Sequence, residues 1–304
     1  MLTFGVVFSE VDKATKGNKL NIAWQNFVNL FSSKSKKLLA NTSTNTSDGT
    51  KTEEGTQSPV NPSTPNGNQP QEESILFLFA GESNAGNQVH NDRAMPNEIG
   101  LRNLQILNNS TLTFEQLNIG VNNSIDQRAA PADSHGWDLG LANLVDSGIF
   151  GGKRVFLVNL SQGGSLIGQY NEGADTNYRN KIIARANAAM TALRAISNNI
   201  TVYMVYSHGI NDEVANIVNE SQFQSMTQNH LSFLESQFGS NLKLVMTKFE
   251  KFPKFNQSIQ NIVNGNGRYR AIETAGLSLQ DTYHWGYDSQ KYIITQSVNL
   301  LKSI

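Results

Sequence analysis

The sequence predicts a doubly wound α/β domain built on a parallel sheet, and two alternating residue patterns indicate it. Near-continuous apolar runs, which are typical of strands buried on both faces of a parallel sheet, recur beyond residue 74. They occupy residues 75–80, 155–160, 201–206 and 242–247, with a weaker fifth run at 269–274. Amphipathic stretches separate these runs, and strands that alternate with helices indicate βαβ units.

Four stretches between or after the strands have the apolar periodicity of helices. The clearest covers residues 177–197, where apolar side chains recur every three or four positions and form one stripe. The stripe comprises Ile182, Ile183, Ala186, Ala189, Met190, Leu193 and Ile196. The other predicted helices cover residues 137–150, 221–238 and 288–304.

Charge and cysteine content exclude several classes of protein. The chain has 24 Lys and Arg residues against 25 Asp and Glu residues, so it lacks the basic surplus that a nucleic-acid partner requires. It contains no cysteine, which rules out disulfides, zinc–thiolate sites and a cysteine nucleophile. No apolar run approaches the ~20 residues that a transmembrane helix needs. We expect no nucleic-acid partner and no transmembrane segment.

The composition changes sharply near residue 40. Residues 41–73 are rich in Thr, Ser, Asn, Pro, Gly and Gln, and their one large apolar residue is Val60. Such a segment cannot bury enough apolar surface to offset the entropy of ordering it, so we interpret it as a linker. The predicted organisation is an N-terminal segment at 1–40, a linker at 41–73 and a main domain at 74–304.

The N-terminal segment contains one amphipathic helix, with lysines near its end where cations suit the helix dipole. Its apolar stripe comprises Leu20, Trp24, Phe27, Val28 and Phe31. The helix either packs on the main domain or is a docking or oligomerisation segment that attaches the chain to a protein partner or larger particle, and both interpretations stay open. A membrane-surface helix is less favoured, because the polar face is only modestly basic. The first residues lack the basic stretch of a convincing signal peptide. The layout nevertheless favours an extracellular or virion-associated protein.

Polar residues suited to acyl transfer follow successive predicted strands, at the sheet edge where α/β proteins place their ligands. In chain order they are Ser83, the pair Gly163 and Gly164, Asn211 with Asp212, and Asp281 with His284. A serine hydroxyl needs a base to accept its proton, and imidazole titrates near neutrality. We therefore interpret Ser83 as nucleophile, His284 as base, and Asp281 as the group that orients His284.

The oxyanion of a tetrahedral intermediate requires hydrogen-bond donors. The predicted donors are the N–H of Ser83, the N–H of Gly163 or Gly164, and the side-chain amide of Asn211. Further residues near these motifs are candidate substrate contacts. They are Glu82, Asn84, His135, Trp137, His208 and Asp212.

These residues together resemble the SGNH hydrolase superfamily, whose name-giving residues would be Ser83, a glycine of the 163–164 pair, Asn211 and His284. The stretch FLFAGESNAGN looks like the GQSN-M-A-G opening of the sialate O-acetylesterase and acetylxylan esterase group, carbohydrate esterase family 6. NLSQGGSLI resembles the Gly-Gly-Thr block of that group. The resemblance covers roughly residues 74–304. It implies a three-layer α/β/α, flavodoxin-like fold and removal of an ester-linked acyl group, with acetyl the favoured one, from a sugar. The resemblance also implies that the reaction needs no metal and no organic cofactor.

Two positions depart from the pattern of that group. Glu82 replaces its usual Gln, and the third block reads Gly209-Ile210-Asn211-Asp212 where the group commonly has Gly-Glu-Ser-Asp. The second departure brings the chain closer to the Gly-x-Asn-Asp of the wider superfamily. The resemblance therefore implies a serine esterase more directly than it implies a sugar acetylesterase.

Three functional interpretations follow. The first is a carbohydrate O-acetylesterase acting on an acetylated glycan, and the second is a lipid esterase or thioesterase of the same superfamily. Polar stretches at 97–110 and 169–180, expected to be loops, favour the sugar substrate over a long acyl chain. The third is a glycan-binding or structural module on a particle such as a phage virion, which the N-terminal layout favours.

Overall fold

The computed structural model of the chain describes residues 73–86, 88–122, 134–174 and 177–304. The predicted N-terminal helix within 1–40 lies outside these residues, as does the predicted linker as far as residue 72. The first described strand begins at Ser74, one residue after the end of the predicted linker.

Seven strands form one sheet in the order β4-β3-β6-β1-β7-β8-β9. The strands are β1 (Ser74–Gly81), β3 (Gly100–Leu107), β4 (Phe114–Ile119), β6 (Arg154–Asn159), β7 (Ile200–Ser207), β8 (Lys243–Thr247) and β9 (Tyr269–Ile272). A separate antiparallel pair consists of β2 (Val89–His90) and β5 (Ser134–His135). Strand β1 lies at the centre and pairs in parallel with β6 and β7, so the ends of these three strands meet at one edge.

Helices cover both faces of this sheet. They are α1 (Trp137–Asp146), α2 (Tyr178–Arg194), α3 (Ile210–Ala215), α4 (Glu220–Phe238), α5 (Asn256–Asn264) and α6 (Tyr287–Lys302). Helices α1 and α6 pack against each other, whereas α4 contacts both α2 and α5. Alternate residues of β1 point to opposite faces, and Phe77 and Leu78 are both fully buried. The two helix groups therefore form the outer layers of an α/β/α domain, as predicted.

The sheet is mixed rather than wholly parallel, because β3 and β4 form an antiparallel hairpin at one edge. The stretch 97–110, expected to be a loop, contains β3. Arg102 is a charged residue in this strand and yet is buried. Its guanidinium donates to Asp146 Oδ2 at 2.6 Å, Asn143 Oδ1 at 2.6 Å and the Glu98 carbonyl at 2.8 Å. These partners make the burial of its charge acceptable.

Most of the predicted strands and helices begin and end within two residues of the observed bounds, and some predicted elements end earlier in the structure. The run at 269–274 gives the shorter strand β9, and the helix predicted at 137–150 ends at Asp146. Helices α3 and α5 were not predicted. No helix among the described residues combines the length and apolar character required to span a membrane.

Gly81, at the end of β1, should tolerate no side chain. Its φ is +123°, and a Cβ would lie 1.9 Å from the carbonyl oxygen of Ser207. We expect Gly81→Ala to lower the free energy of unfolding by more than about 3 kcal/mol, because strain and a clash with backbone act together. Urea denaturation of the variant and the wild type measures the difference.

Gly148→Ala is the matched control, since Gly148 also has positive φ, at +78°, but has open space around its Cβ position. We expect this control to cost only about 1–2 kcal/mol, from backbone strain alone. Equal losses in the two variants would contradict the role assigned to the close approach of Gly81 to β7.

Candidate active site

Ser83, His284 and Asp281 lie in a hydrogen-bonded row at the edge of the sheet. Ser83 begins a single 3-10 turn, Ser83–Ala85, directly after β1. Its Oγ lies 2.9 Å from Nε2 of His284, and Nδ1 of His284 lies 2.7 Å from Oδ2 of Asp281. The structure thus brings together the three residues that the sequence predicts as catalytic, although 201 positions separate Ser83 from His284.

The second oxygen of the Asp281 carboxylate is held by backbone. Its Oδ1 accepts hydrogen bonds from the N–H groups of Tyr283 at 2.7 Å and His284 at 2.8 Å. Partial burial acts to raise the pKa of Asp281, but the hydrogen bonds from the His284 ring and these N–H groups outweigh it and lower the pKa to about 2. The carboxylate is therefore an ionised, oriented partner for the imidazole at neutral pH.

Asn84 fixes the loop that carries His284. Its Nδ2 donates to the carbonyl of Tyr283 at 2.9 Å, and its Oδ1 accepts from the N–H of Trp285 at 3.2 Å. The side chain is fully buried, so it is not at the surface where a substrate contact was expected. Asn84 instead hydrogen-bonds to the backbone on both sides of His284 and so holds the imidazole beside Ser83.

Three strand ends are joined around the nucleophile turn. The carbonyl of Gly81 accepts from the N–H of Gln162 at 2.9 Å and from the hydroxyl of Tyr170 at 3.0 Å, which ties β1 to the segment after β6. The N–H of Glu82 donates to the carbonyl of Ser207 at 2.8 Å, which ties β1 to β7. The turn that presents Ser83 is therefore anchored on both sides.

Several N–H groups near these strand ends have no hydrogen-bond acceptor among the described residues. In the described part of the chain, the N–H groups of Ser83, Gly163 and Gly164 donate to no protein group. The side-chain amide of Asn211 donates to the carbonyl of Ser165 at 3.2 Å, which leaves its second N–H bond for another acceptor. These are the groups predicted as oxyanion donors.

Glu82, His208 and Asp212 were expected to line the substrate pocket, but the structure places all three in the interior. Each is at most 1% exposed. Glu82 and Asp212 accept hydrogen bonds from backbone N–H groups, and Nε2 of His208 lies 3.0 Å from Oδ2 of Asp212. Sequence position next to a motif residue predicted proximity correctly, but the side chains point away from solvent.

His135 and Trp137 are also buried, at 1% exposure each, rather than forming a substrate wall. The ring of Trp137 packs edge-on against Phe79 of β1, with 5.6 Å between centroids. His135 lies in the short strand β5, where its Nδ1 is 2.9 Å from Oδ1 of Asn91 and its ring contacts that of Tyr287. Both residues belong to the packed interior around the start of α1.

A half-buried aromatic pair beside His284 was not singled out from the sequence. The rings of Phe252 and Tyr283 stack with 5.5 Å between centroids, and Tyr283 also meets the His284 ring edge-on at 6.4 Å. Their positions in loops far apart in the chain give no periodic signal. Among the described residues, no group of three or more His, Asp or Glu side chains is arranged to hold a metal ion.

The sequence matches, over residues 73–297, the model of a family described as carbohydrate esterase, sialic acid-specific acetylesterase. The chain belongs to this family. Membership confirms the expected relationship to carbohydrate esterases and makes the protein a carboxylic ester hydrolase. Sequence comparison with curated proteins gave no significant match.

Several solved structures are similar to this chain at low sequence identity. A protein from Arabidopsis thaliana superimposes with a TM-score of 0.58 at 13% identity, covering 76% of this chain and 97% of that one. A putative GDSL-like lipase from Bacteroides uniformis gives 0.41 at 13% identity, covering 76% and 97%. A carbohydrate acetylesterase from Xanthomonas citri gives 0.44 at 11% identity, covering 75% and 55%. The first of these supports the fold assignment.

Proposed function

We propose that this esterase removes acyl groups, chiefly acetyl, from a carbohydrate by a Ser-His-Asp mechanism. The observation that carries the proposal is the continuous row from Ser83 Oγ through His284 to Asp281, with separations of 2.9 and 2.7 Å. A hydroxyl, an imidazole and an ionised carboxylate in this order are the elements that activate a serine nucleophile. Membership of the carbohydrate esterase family supports the glycan as substrate.

In the first half of the reaction, Ser83 Oγ attacks the ester carbonyl while His284 Nε2 accepts the hydroxyl proton. The resulting imidazolium is stabilised by the Asp281 carboxylate at Nδ1. The tetrahedral intermediate collapses when the C–O bond to the sugar breaks and His284 returns the proton to the sugar oxygen. The products of this half are a free sugar hydroxyl and an acyl ester on Ser83.

In the second half, water replaces the sugar. His284 accepts a proton from the water as its oxygen attacks the acyl carbonyl, and a second tetrahedral intermediate forms. Cleavage of the bond to Ser83 Oγ, with return of the proton to that oxygen, releases the carboxylic acid and restores the enzyme. One water is consumed and no cofactor enters the balance.

The oxyanion of both intermediates would be held by the N–H of Ser83, the N–H of Gly163 or Gly164, and the free N–H of the Asn211 amide. These donors support the role because they lie on the segments that follow β1, β6 and β7, three adjacent strands. Backbone donors without a protein acceptor are already oriented before substrate arrives, so little reorganisation accompanies charge development.

A series of p-nitrophenyl esters of increasing acyl length tests the substrate class. We expect kcat/KM for the acetate to exceed that for the octanoate by at least about tenfold. The reason is that the segment after β6, which hydrogen-bonds to the carbonyl of Gly81 near the nucleophile, is polar, with Gln162 and two glycines. Release of acetate from acetylated mono- and oligosaccharides, measured by a coupled acetate assay, is the companion measurement.

The same series separates the lipid esterase alternative. A rise in kcat/KM from the acetate to the octanoate would contradict the proposed carbohydrate acetylesterase and favour a long-chain acyl substrate. If acetate is released from p-nitrophenyl acetate but from no acetylated sugar, the proposed ester hydrolysis stands and the proposed carbohydrate substrate is wrong. Butyrate serves as the intermediate control, since it lengthens the acyl group without demanding a long apolar channel.

A further inference from the structure

Three ionisable side chains that the proposed mechanism does not use lie behind the candidate oxyanion donors. Glu82, His208 and Asp212 are each at most 1% exposed. Buried charges are costly unless they are paired and hydrogen-bonded, so a cluster of three requires a physical account. Its partners are all on the segments that carry the candidate donors.

Glu82 binds the start of helix α3. Its Oε1 accepts from the N–H of Gly209 at 3.0 Å and of Ile210 at 2.7 Å, and its Oε2 accepts from the N–H of Asn211 at 3.0 Å. One carboxylate therefore satisfies three consecutive backbone donors. Since Glu82 directly precedes Ser83, it sets the position of the Asn211 backbone relative to the nucleophile.

Asp212 binds the segment after β6 in the same way. Both of its carboxylate oxygens lie 3.1 Å from the N–H of Ile167, and the Asn211 amide donates to the carbonyl of Ser165 nearby. The segment that contains Gly163 and Gly164 is thus held to the start of α3. Glu82 and Asp212 together connect all three segments that supply candidate oxyanion donors.

The imidazole of His208 interacts electrostatically with the carboxylates of Asp212 and Glu82. Burial acts to lower its pKa, but the hydrogen bond and charge of Asp212, followed by the charge of Glu82, outweigh burial and raise it. Burial likewise raises the pKa of Glu82, and the charge of His208 and the backbone N–H groups oppose that rise. The His208 ring thus lies 3.0 Å from the Asp212 carboxylate, and backbone N–H groups donate to the oxygens of both carboxylates.

We propose that Glu82 is a positioning residue, which holds the Asn211 amide at the distance from Ser83 that oxyanion stabilisation requires. The inference rests on the proposed function, since it assigns Glu82 an effect on the transition state rather than on substrate binding. A Gln at this position would present a donor as well as an acceptor. The carboxylate suits this chain because α3 offers it three donors and no acceptor.

The substitution Glu82→Gln tests the proposal with almost unchanged side-chain volume. One terminal atom of Gln is an N–H donor, so at least one backbone N–H at the start of α3 loses its acceptor and the helix start must shift. We expect kcat for p-nitrophenyl acetate to fall about 10- to 100-fold, less than or comparable to removal of one oxyanion donor. KM should change less than about threefold, because an interaction made in the transition state is lost.

Glu98→Gln is the matched structural control. Glu98 is a buried carboxylate that accepts from the Met95 N–H, Asn143, Tyr287 and Lys291, and it lies between the turn before β3 and helices α1 and α6. We expect this variant to lose thermal stability but to keep kcat within about twofold, since its partners carry none of the candidate donors. A purely structural Glu82 would behave in the same way.

A double-mutant cycle with Asn211→Ala asks whether Glu82 acts through Asn211. If it does, adding Glu82→Gln to Asn211→Ala should lower kcat no further, because the donor it positions is already gone. Wild-type kcat in folded Glu82→Gln, or multiplied losses in the double variant, would overturn the proposal. Should Glu82→Gln not accumulate as folded protein, Glu82→Asp, which keeps the charge but shortens the reach, is judged by the same criteria.

The outcome is distinguishable from failure of the proposed function. If Ser83→Ala keeps wild-type turnover, the Ser-His-Asp mechanism fails, and with it any role of Glu82 in that mechanism. If Ser83→Ala is inactive while folded Glu82→Gln has wild-type kcat, the mechanism stands and the positioning role alone is overturned.

Discussion

Ser83→Ala should lower kcat for p-nitrophenyl acetate by at least about a thousandfold, with the protein still folded. Removing Oγ removes the atom that lies 2.9 Å from His284 Nε2 and that would accept the acyl group. The remaining donors could still polarise a bound ester, so a small residual rate above the uncatalysed reaction is expected. The measurement compares the initial rates of Ser83→Ala and wild type at saturating ester. Thermal melting of both proteins checks that the variant is folded.

Ser147→Ala is the control for this experiment, since Ser147 is exposed and its hydroxyl donates to the nearby carbonyl of Leu144. It should keep wild-type kcat. A folded Ser83→Ala protein that retains more than a tenth of wild-type activity would show that another group is the nucleophile. Mass spectrometry after reaction with an organophosphonate would then locate that group.

Asp281→Asn should lower kcat/KM by about 10²- to 10⁴-fold. The carboxylate accepts on both sides, from two backbone N–H groups at Oδ1 and from the His284 ring at Oδ2. An Asn side chain has only one acceptor, and two backbone donors hold it more strongly than one imidazole N–H. The amide NH₂ then faces Nδ1, which forces the proton of His284 onto Nε2, where it can no longer accept from Ser83.

The dependence of kcat/KM on pH tests independently whether Asp281 stays ionised. Its pKa is lowered to about 2, so the carboxylate remains ionised well below the pH at which the base must be neutral. Asp281 should therefore contribute no proton uptake to the fall of kcat/KM on mild acidification. A second acid limb between about pH 4 and 6 would show that Asp281 titrates there and is not the fixed anion described above.

Asp288→Asn is the matched control for charge removal, because Asp288 lies exposed in the first turn of α6, close in sequence to His284. We expect unchanged kcat and a loss of a few tenths of a kcal/mol in stability through the helix dipole. Near wild-type activity in Asp281→Asn would contradict its role as the orienting group.

Apolar patterning predicted the central strands well because β1, β6, β7 and β8 are buried on both faces and leave few polar positions. The hairpin of β3 and β4 was missed for the opposite reason. Arg102 and its neighbours make β3 look like a polar loop, and the partners of Arg102 that allow its charge to be buried include Asp146 and Asn143, which are more than 40 positions away. No local pattern contains this information.

Residue type and position after a strand were sufficient to select Ser83, Asp281 and His284. They were insufficient for Glu82, whose partners are backbone N–H groups 127 to 129 positions away and therefore have no side-chain signature. Asn84 was selected as a substrate contact and instead grips the loop of His284. Their positions beside Ser83 in the sequence correctly predicted that Glu82 and Asn84 lie near the candidate active site. The direction in which each side chain points depends on tertiary contacts that the sequence pattern does not contain.

The hydrogen bonds between Asn84 and the backbone of residues 283 and 285 have a consequence for the order in which the active site forms during folding. The nucleophile turn can form with the sheet, but the base arrives only when the loop before α6 docks onto Asn84. A folding intermediate with a complete sheet and an undocked loop would be compact yet without turnover. Recovery of ester hydrolysis during refolding would then time this last docking event, while far-ultraviolet circular dichroism would time formation of the sheet and helices.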